Sequence, residues 1–223
     1  MKILALDAST EYCSVALWRD GTVDARDEHA GQRHSQRLLP MVGELLGHHG
    51  IAVRDLDGIA FGRGPGSFTG LRIVCGVTQG LAFGAGLPVV GVSTLLALAD
   101  AARSERVVCC IDARMGEIYH AAYAGDGSKW EVVHGPSLCS PEEAPPLPAG
   151  SWLGCGSGFA AHGPTLQRVY GGRLSAIIPD AFPHARDIAR LAVREFEAGR
   201  GFPAEQAVPE YIRDKVALKT SER

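Results

Sequence analysis

The stretch GRGPGSFTGLR, residues 62 to 72, constrains the fold more than any other part of this chain. It sets four glycines, a proline, a serine and a threonine between an apolar run, DGIAFGR, and a helical run that begins near residue 69. A helix N-terminus reached through glycines can cradle a phosphate, because unpaired backbone N–H groups and the helix dipole both point at it. The spacing rejects the two common nucleotide loops. A P-loop needs lysine and then serine or threonine after its last glycine, and Gly70 is followed by Leu71 and Arg72. A dinucleotide fingerprint G-x-G-x-x-G started at Gly62 puts its third glycine on Ser67, and started at Gly64 puts it on Thr69. From the residues alone, the loop is a strained turn in which Ser67 or Thr69 caps the helix.

The flanking pattern alternates. KILALDAS reads as a buried strand, and CSVALWRDGTVDARDEH reads as two strands joined at Asp20-Gly21, a hairpin dipeptide. A helix follows over about residues 35–49, then the DGIAFGR strand, a helix over about 69–85, the strand LPVVGV, and the helix STLLALADAAR with Ser93 or Thr94 as N-cap. Strands restart with RVVCCIDAR, EIYHAAYAG and KWEVVHG. A proline-rich connection over 140–150 leads to SWLGCGS, and a last helix carries Ile188, Leu191, Ala192 and Phe196 before Gly199. Each half begins with antiparallel strands and then alternates. This predicts a mixed-sheet α/β protein of two domains, 1–105 and 106–223, with the final segment able to pack back on the first.

Composition narrows the function. A chain of 223 residues supports a core without staples. Its 22 basic and 25 acidic side chains give a net charge of −3 with no block of one sign, which argues against gripping nucleic acid unaided. The six cysteines, Cys13, Cys75, Cys109, Cys110, Cys139 and Cys155, form no C-x-x-C pair and read as small core residues. Asp7 interrupts the first apolar run, and no segment nears the roughly 20 apolar residues of a membrane span, so a cytoplasmic protein is expected.

Two helices carry unusual faces. The first holds Leu38, Leu39, Met41, Val42, Leu45 and Leu46, a stripe wider than one buried face needs, which is more often core than interface, and Pro40 predicts a kink or a later start. The second places Gly76, Gly80 and Gly84 at i, i+4 and i+8. Each interior glycine costs about 1 kcal/mol relative to alanine, so close approach of another backbone is expected, from the fold or from a partner. The histidines do not predict a metal site. His29 and His34 are five residues apart, about 140° around a helix; His48 and His49 suit the negative end of a helix; His120, His134, His162 and His184 are scattered. Asp7 in LDAST and Asp112 in IDARMGE each end a strand before a turn, where an aspartate either holds a cation or caps the turn.

Taken in order, LALDAST, HSQRLLPMV, GPGSFTGLRI, GVSTLLALA, IDARMGEIY and PEYIRDKVA resemble the TsaB (YeaZ) family, the non-catalytic partner in bacterial synthesis of threonylcarbamoyladenosine on tRNA. The resemblance implies an actin-like ATPase (ASKHA, RNase H-like) fold of two related mixed-sheet domains. It implies a catalytic paralogue, TsaD, and a small ATPase, TsaE, as partners, with tRNA met only through that complex; an apolar face left open without the paralogue is expected to find cover in a two-fold homodimer when the chain is alone. The partner interface would lie on the first two helices, at Leu38, Leu39, Met41, Val42, Leu45, Leu46, Arg72, Gly76, Gly80 and Gly84. The catalytic relative carries an H-x-x-x-H pair in the stretch matching residues 91–99, which has no histidine here. No catalytic residue, metal or cofactor is therefore expected. Asp7, Ser9, Thr10 and Asp112 would be remnants of a nucleotide cleft, with Ala8 where the fold prefers glycine and Arg114-Met115 in the second loop. Rival readings are an ATP-dependent phosphotransferase using Asp7 and Asp112, and a metallopeptidase.

Overall fold

In the computed structural model, residues 1–125 and 129–213 are described. Strand β1 (Lys2–Asp7) runs through the middle of a five-stranded sheet of order β3-β2-β1-β4-β5. It pairs antiparallel with β2 (Tyr12–Arg19), which pairs antiparallel with β3 (Thr22–His29). On its other side β4 (Gly58–Gly64) and β5 (Val89–Ser93) run parallel. Asp20 and Gly21 turn the β2–β3 hairpin with φ of +48° and +90°, the left-handed pair that a tight hairpin needs.

The side chains of β1 alternate between two cores. Leu4 and Leu6 face helices α1 (His34–His48) and α2 (Phe68–Ala85), while Ile3 and Ala5 face helix α5 (Ala185–Glu197). Both faces are covered, so the strand is buried almost throughout and reads as one apolar run.

The second sheet repeats the topology. Strands β6 (Arg106–Arg114), β7 (Glu117–Gly125) and β8 (Trp130–Cys139) form an antiparallel meander. Strands β9 (Trp152–Cys155) and β10 (Leu174–Ile178) add parallel to β6, giving β8-β7-β6-β9-β10. The two related mixed-sheet domains of the actin-like fold are thus present. Each sheet takes its strands from one side of residue 105, but the helices do not divide there. Helix α3 (Thr94–Ala101) follows the first sheet and lays Leu95, Leu98 and Ala99 on the second, against Val107, Cys109 and Tyr123. Helix α5 follows the second sheet and covers the first. The two exchanged helices pack on each other. Helix α4 (Ser157–Tyr170) covers the remaining face of the second sheet through Phe159, Leu166 and Tyr170.

Three expectations need correction. Helix α1 begins at His34 and continues through Pro40, with no later start. Pro40 lies on the exposed side, where the carbonyl left without its N–H partner, that of exposed Gln36, can meet water. The sequence reading also passed over α4 and β10. Gly163 and Pro164 break the helical pattern of α4, and His162 leaves helical angles at φ −129°. The short β10 exposes three of its five residues. All six cysteines are free, and all but half-buried Cys139 are buried. Among the described residues no helix is long and apolar enough to cross a membrane.

Candidate functional site

The glycine-rich turn joins β4 to α2, and its glycines answer to the backbone of the β1–β2 turn. Gly64 takes φ +115° and precedes a cis peptide bond to Pro65. The Ser67 N–H donates to the Ser9 carbonyl at 2.7 Å, and the Ser67 side chain caps the helix by accepting from Gly70 N at 3.2 Å. A Cβ on Gly66 would stand 2.4 Å from the Ser9 carbonyl oxygen, and one on Gly70 would stand 1.8 Å from that of Ala8. Thr94 Oγ1 donates to the Pro65 carbonyl at 2.5 Å, tying in the start of α3. The Ala8 and Ser9 carbonyls thus press against the first turn of α2, and one of them already takes the Ser67 N–H that a phosphate could otherwise use. A pocket beside the turn, bordered by Gly66, Phe68, Tyr119 and Tyr211, measures ≈ 40 Å³. That holds a few waters, whereas small-molecule sites run to roughly 300 Å³ and more.

The residues expected to line a nucleotide cleft serve their own turns instead. Asp7 is 0% exposed. Its Oδ2 accepts from Ser9 N at 3.1 Å and Ser9 Oγ at 2.9 Å, while its Oδ1 has no partner among the described residues. Gly62 lies so close that a Cβ there would be 2.0 Å from Oδ1, with Ile188 of α5 alongside. Burial pushes the Asp7 carboxyl up to about 7, against the pull of the two Ser9 donors. Ser9 and Thr10 are buried too. Thr10 Oγ1 accepts from Tyr12 N, and the Thr10 carbonyl accepts from His34 Nε2 at 2.8 Å. Asp112 closes the β6–β7 hairpin, accepting from Arg114 N at 2.9 Å and pairing with the Arg114 guanidinium at 3.0 Å. This holds Arg114 and Met115 at φ +62° and +57°. Among the described residues no hydrogen bond or ion pair links Asp7 to Asp112.

The expected helix interface divides in two. Leu38, Met41, Val42, Leu45 and Leu46 are buried in the chain's own core with Val74, Cys75 and Ala82 of α2. The stripe is wide because α1 packs on both the sheet and α2, so these five are not free to meet a partner. Leu39 alone of the six is open, 52% exposed. The glycine ridge fares differently. Gly76, Gly80 and Gly84 are exposed, and a Cβ on any of them would touch nothing within 4 Å. Among the described residues no contact offsets their cost to the helix. Exposed Arg72 starts the same face, its guanidinium 3.2 Å over the Phe68 ring and 5.1 Å from that of Tyr211. The sequence reading missed Phe83, 79% exposed near the ridge, and a second open pair on α1, Gly43 and Gly47. Their i, i+4 spacing was the available signal. Both glycine strips, with Leu39 and Phe83, are exposed on helices that pack on the same face of the sheet.

A protein-family model described as TsaD, tRNA N6-adenosine threonylcarbamoyltransferase, matches residues 26–219. Over 98% of its length the chain is 42% identical to the tRNA threonylcarbamoyladenosine biosynthesis protein TsaB of Escherichia coli (strain K12), covering 97% of that protein. The chain belongs to the TsaB family. The TsaB of Haemophilus influenzae is 38% identical over 98% of this chain and 96% of that protein. A solved structure of YeaZ from Pseudomonas aeruginosa superposes with a TM-score of 0.87 at 42% identity, over 94% of this chain and 99% of that one. Another Pseudomonas aeruginosa structure, described as similar to the peptidase YEAZ, gives 0.88 at 41% identity, over 95% and 99%. In this TsaB-family chain, residues 91–99 run from β5 into α3 without a histidine, and Thr94, Leu95, Ala97, Leu98 and Ala99 of that stretch are buried. Of the C-terminal motif PEYIRDKVA, Glu210 pairs with Arg63 at 2.8 Å and Arg213 donates to the Ala113 carbonyl at 3.0 Å. Residues 214–217 of that motif lie outside the described residues.

Proposed function

We propose that this chain is a non-catalytic subunit in the synthesis of threonylcarbamoyladenosine on tRNA, acting by binding the catalytic paralogue TsaD, with the ATPase TsaE joining the complex. The observation that carries the reading is the match to TsaB proteins over nearly the whole of both chains. The closed loop junction supports a subunit without its own phosphate chemistry, because the α2 N-terminus abuts the Ala8 and Ser9 carbonyls. The same feature counts against a phosphotransferase, and the lack of histidine in residues 91–99 counts against a metallopeptidase. The outer face of α1 and α2 is the docking surface, with Leu39, Arg72, Gly76, Gly80 and Gly84 retained from the sequence reading and Gly43, Gly47 and Phe83 added. Glycines let a partner helix approach closely. Alone, the chain covers this face with a second copy by two-fold symmetry. With a net charge of −3 it meets tRNA through the complex, in the cytoplasm.

Gly80→Leu tests the surface. The position is open, so leucine fits and gains nearly 1 kcal/mol of helix propensity. The expected result, at a dilution where both chains are monomeric, is a melting temperature at or above that of the parent, with TsaD binding by calorimetry weakened at least a hundredfold. Unchanged binding sinks the surface assignment. Purified chain incubated with ATP, bicarbonate, threonine and unmodified tRNA is expected to yield no modified nucleoside, and product formed by this chain alone overturns the non-catalytic reading.

A further inference from the structure

Away from the loop junction, and directly after Gly47 of the glycine face, a cluster of ligand-forming side chains sits where α1 ends beside the edge strand β3. Asp24 of β3 and the consecutive His48 and His49 each place a ligand atom within 4.8 Å of the others. His49 Nε2 lies 2.9 Å from Asp24 Oδ2. The two imidazoles stand edge to face, their centroids 5.1 Å apart. The sequence reading explained both histidines by the helix dipole and did not connect them to Asp24, which is 24 residues before His48 and faces it only through the packing of α1 on β3.

We propose that Asp24, His48 and His49 form a binding site for a divalent transition-metal ion of the zinc type, with water at the fourth position. Two imidazoles and one carboxylate make the donor set of an open three-ligand zinc site. Imidazole nitrogens suit zinc, copper and nickel, whereas magnesium and calcium favour oxygen donors. Bonds of about 2.0 Å in a tetrahedron hold neighbouring ligand atoms about 3.3 Å apart. The His49–Asp24 pair needs to open by less than half an ångström to reach that spacing. His48 is solvent-exposed, so its ring is free to turn toward the ion.

The carboxylate is also prepared. The hydrogen bond from Arg26 is the main influence holding Asp24 below the usual carboxylate range, and His49 adds to it. Arg26 takes Oδ1, which leaves Oδ2 toward the histidines. The Arg26 charge opposes a cation and limits the affinity. A bound ion would tether the last turn of α1 to β3, the strand at the edge of the sheet. The site stands on its own geometry and does not depend on the partner reading.

The test uses the full chain without a polyhistidine tag, freed of metal with a chelator and titrated with zinc chloride by calorimetry at pH 7.5. The expected result is one zinc per chain and a melting temperature that rises with zinc. The double variant His48→Ala/His49→Ala is expected to lose both effects, and Asp24→Asn to bind at least tenfold more weakly. His48→Ala alone changes one exposed side chain, so it keeps the test decisive if the double variant misfolds; it too is expected to weaken binding at least tenfold. No zinc binding up to millimolar concentration overturns the proposal. So does equal stoichiometry and affinity in the parent and His48→Ala, which would assign the ion to other side chains.

Discussion

Asp7 shows how a residue can keep its type while its surroundings change its work. Its position at a strand end was legible in the sequence. Its burial was not, because the groups that roof it, Gly62 and Ile188, come from β4 and from a helix some 180 residues later. Removing water penalises the charged carboxylate, so in the folded chain the proton leaves near pH 7 rather than near the ordinary 3.8. Between those values the folded state holds a proton that the unfolded state has lost. The stabilisation from this site is therefore complete below about pH 4 and lost as the pH rises through 7. Buried His120 works the other way. Burial lowers its imidazole to about 4, so its contribution is complete above 6.5 and falls on acidification below that. Between pH 6.5 and 8.5 His120 still adds about 0.4 kcal/mol, equally whatever stands at position 7, so the difference between parent and variant isolates Asp7, which still titrates there. The isosteric Asp7→Asn should remove that dependence. Thermal melts at pH 6.5 and 8.5 check it: the parent loses about 1 kcal/mol at this site across the interval, roughly 2–4 °C for a chain of this size, and the variant does not.

Helix α2 uses glycine for two unrelated reasons, and periodicity alone could not separate them. Gly70 faces inward onto the Ala8 carbonyl, while Gly76 and Gly80 face outward onto open space. The sequence shows five glycines between Gly66 and Gly84, three of their four intervals being four residues, but spacing shows which residues share a face and not what lies across from it. The substitutions should split accordingly. Gly70→Ala sets a methyl group against backbone that cannot step aside, and is expected to cost about 3 kcal/mol or more. Gly76→Ala and Gly80→Ala each relieve the helix of a flexible residue and are expected to stabilise the isolated chain by about 1 kcal/mol. Urea midpoints measured on the three variants at a dilution where the chain is monomeric distinguish the two classes, and a destabilised Gly80→Ala there would mean that the ridge is packed inside the chain after all. The leucine stripe of α1 is core, as its residues alone suggest, and only the family resemblance places it at an interface. Its width was visible, but the second surface it packs on, helix α2, could not be seen from α1 alone.

At the scale of the whole molecule, the alternation of strands and helices was enough to give two mixed sheets, and the strand orders match across them. What the pattern did not carry is which sheet each terminal helix covers. Helices α3 and α5 both have an apolar side, and nothing in a single amphipathic stretch names its mate. The exchange makes the two domains depend on each other. In a fragment of residues 1–105, Ile3, Ala5, Ala16, Ala60 and Val90 lose the cover of Ile188, Ala189 and Ala192. The fragment's own α3 is left with Leu95 and Leu98 facing no second sheet. A fully buried aliphatic side chain contributes about 1.5–3 kcal/mol, so these losses rival the roughly 5–15 kcal/mol that holds a domain folded. The fragment is expected to show strand signal in far-UV dichroism without a cooperative melt, and to bind a hydrophobic dye. Joining residues 1–93 to 180–207 through a flexible linker removes the orphaned α3 and returns α5 to its sheet. Phe202 then also regains its bridge to Val89, and Ala207 its hydrogen bond from Gln79. That fused chain is expected to melt cooperatively and to bind little dye. A cooperative melt from residues 1–105 alone would show that the first domain does not need the helix it borrows.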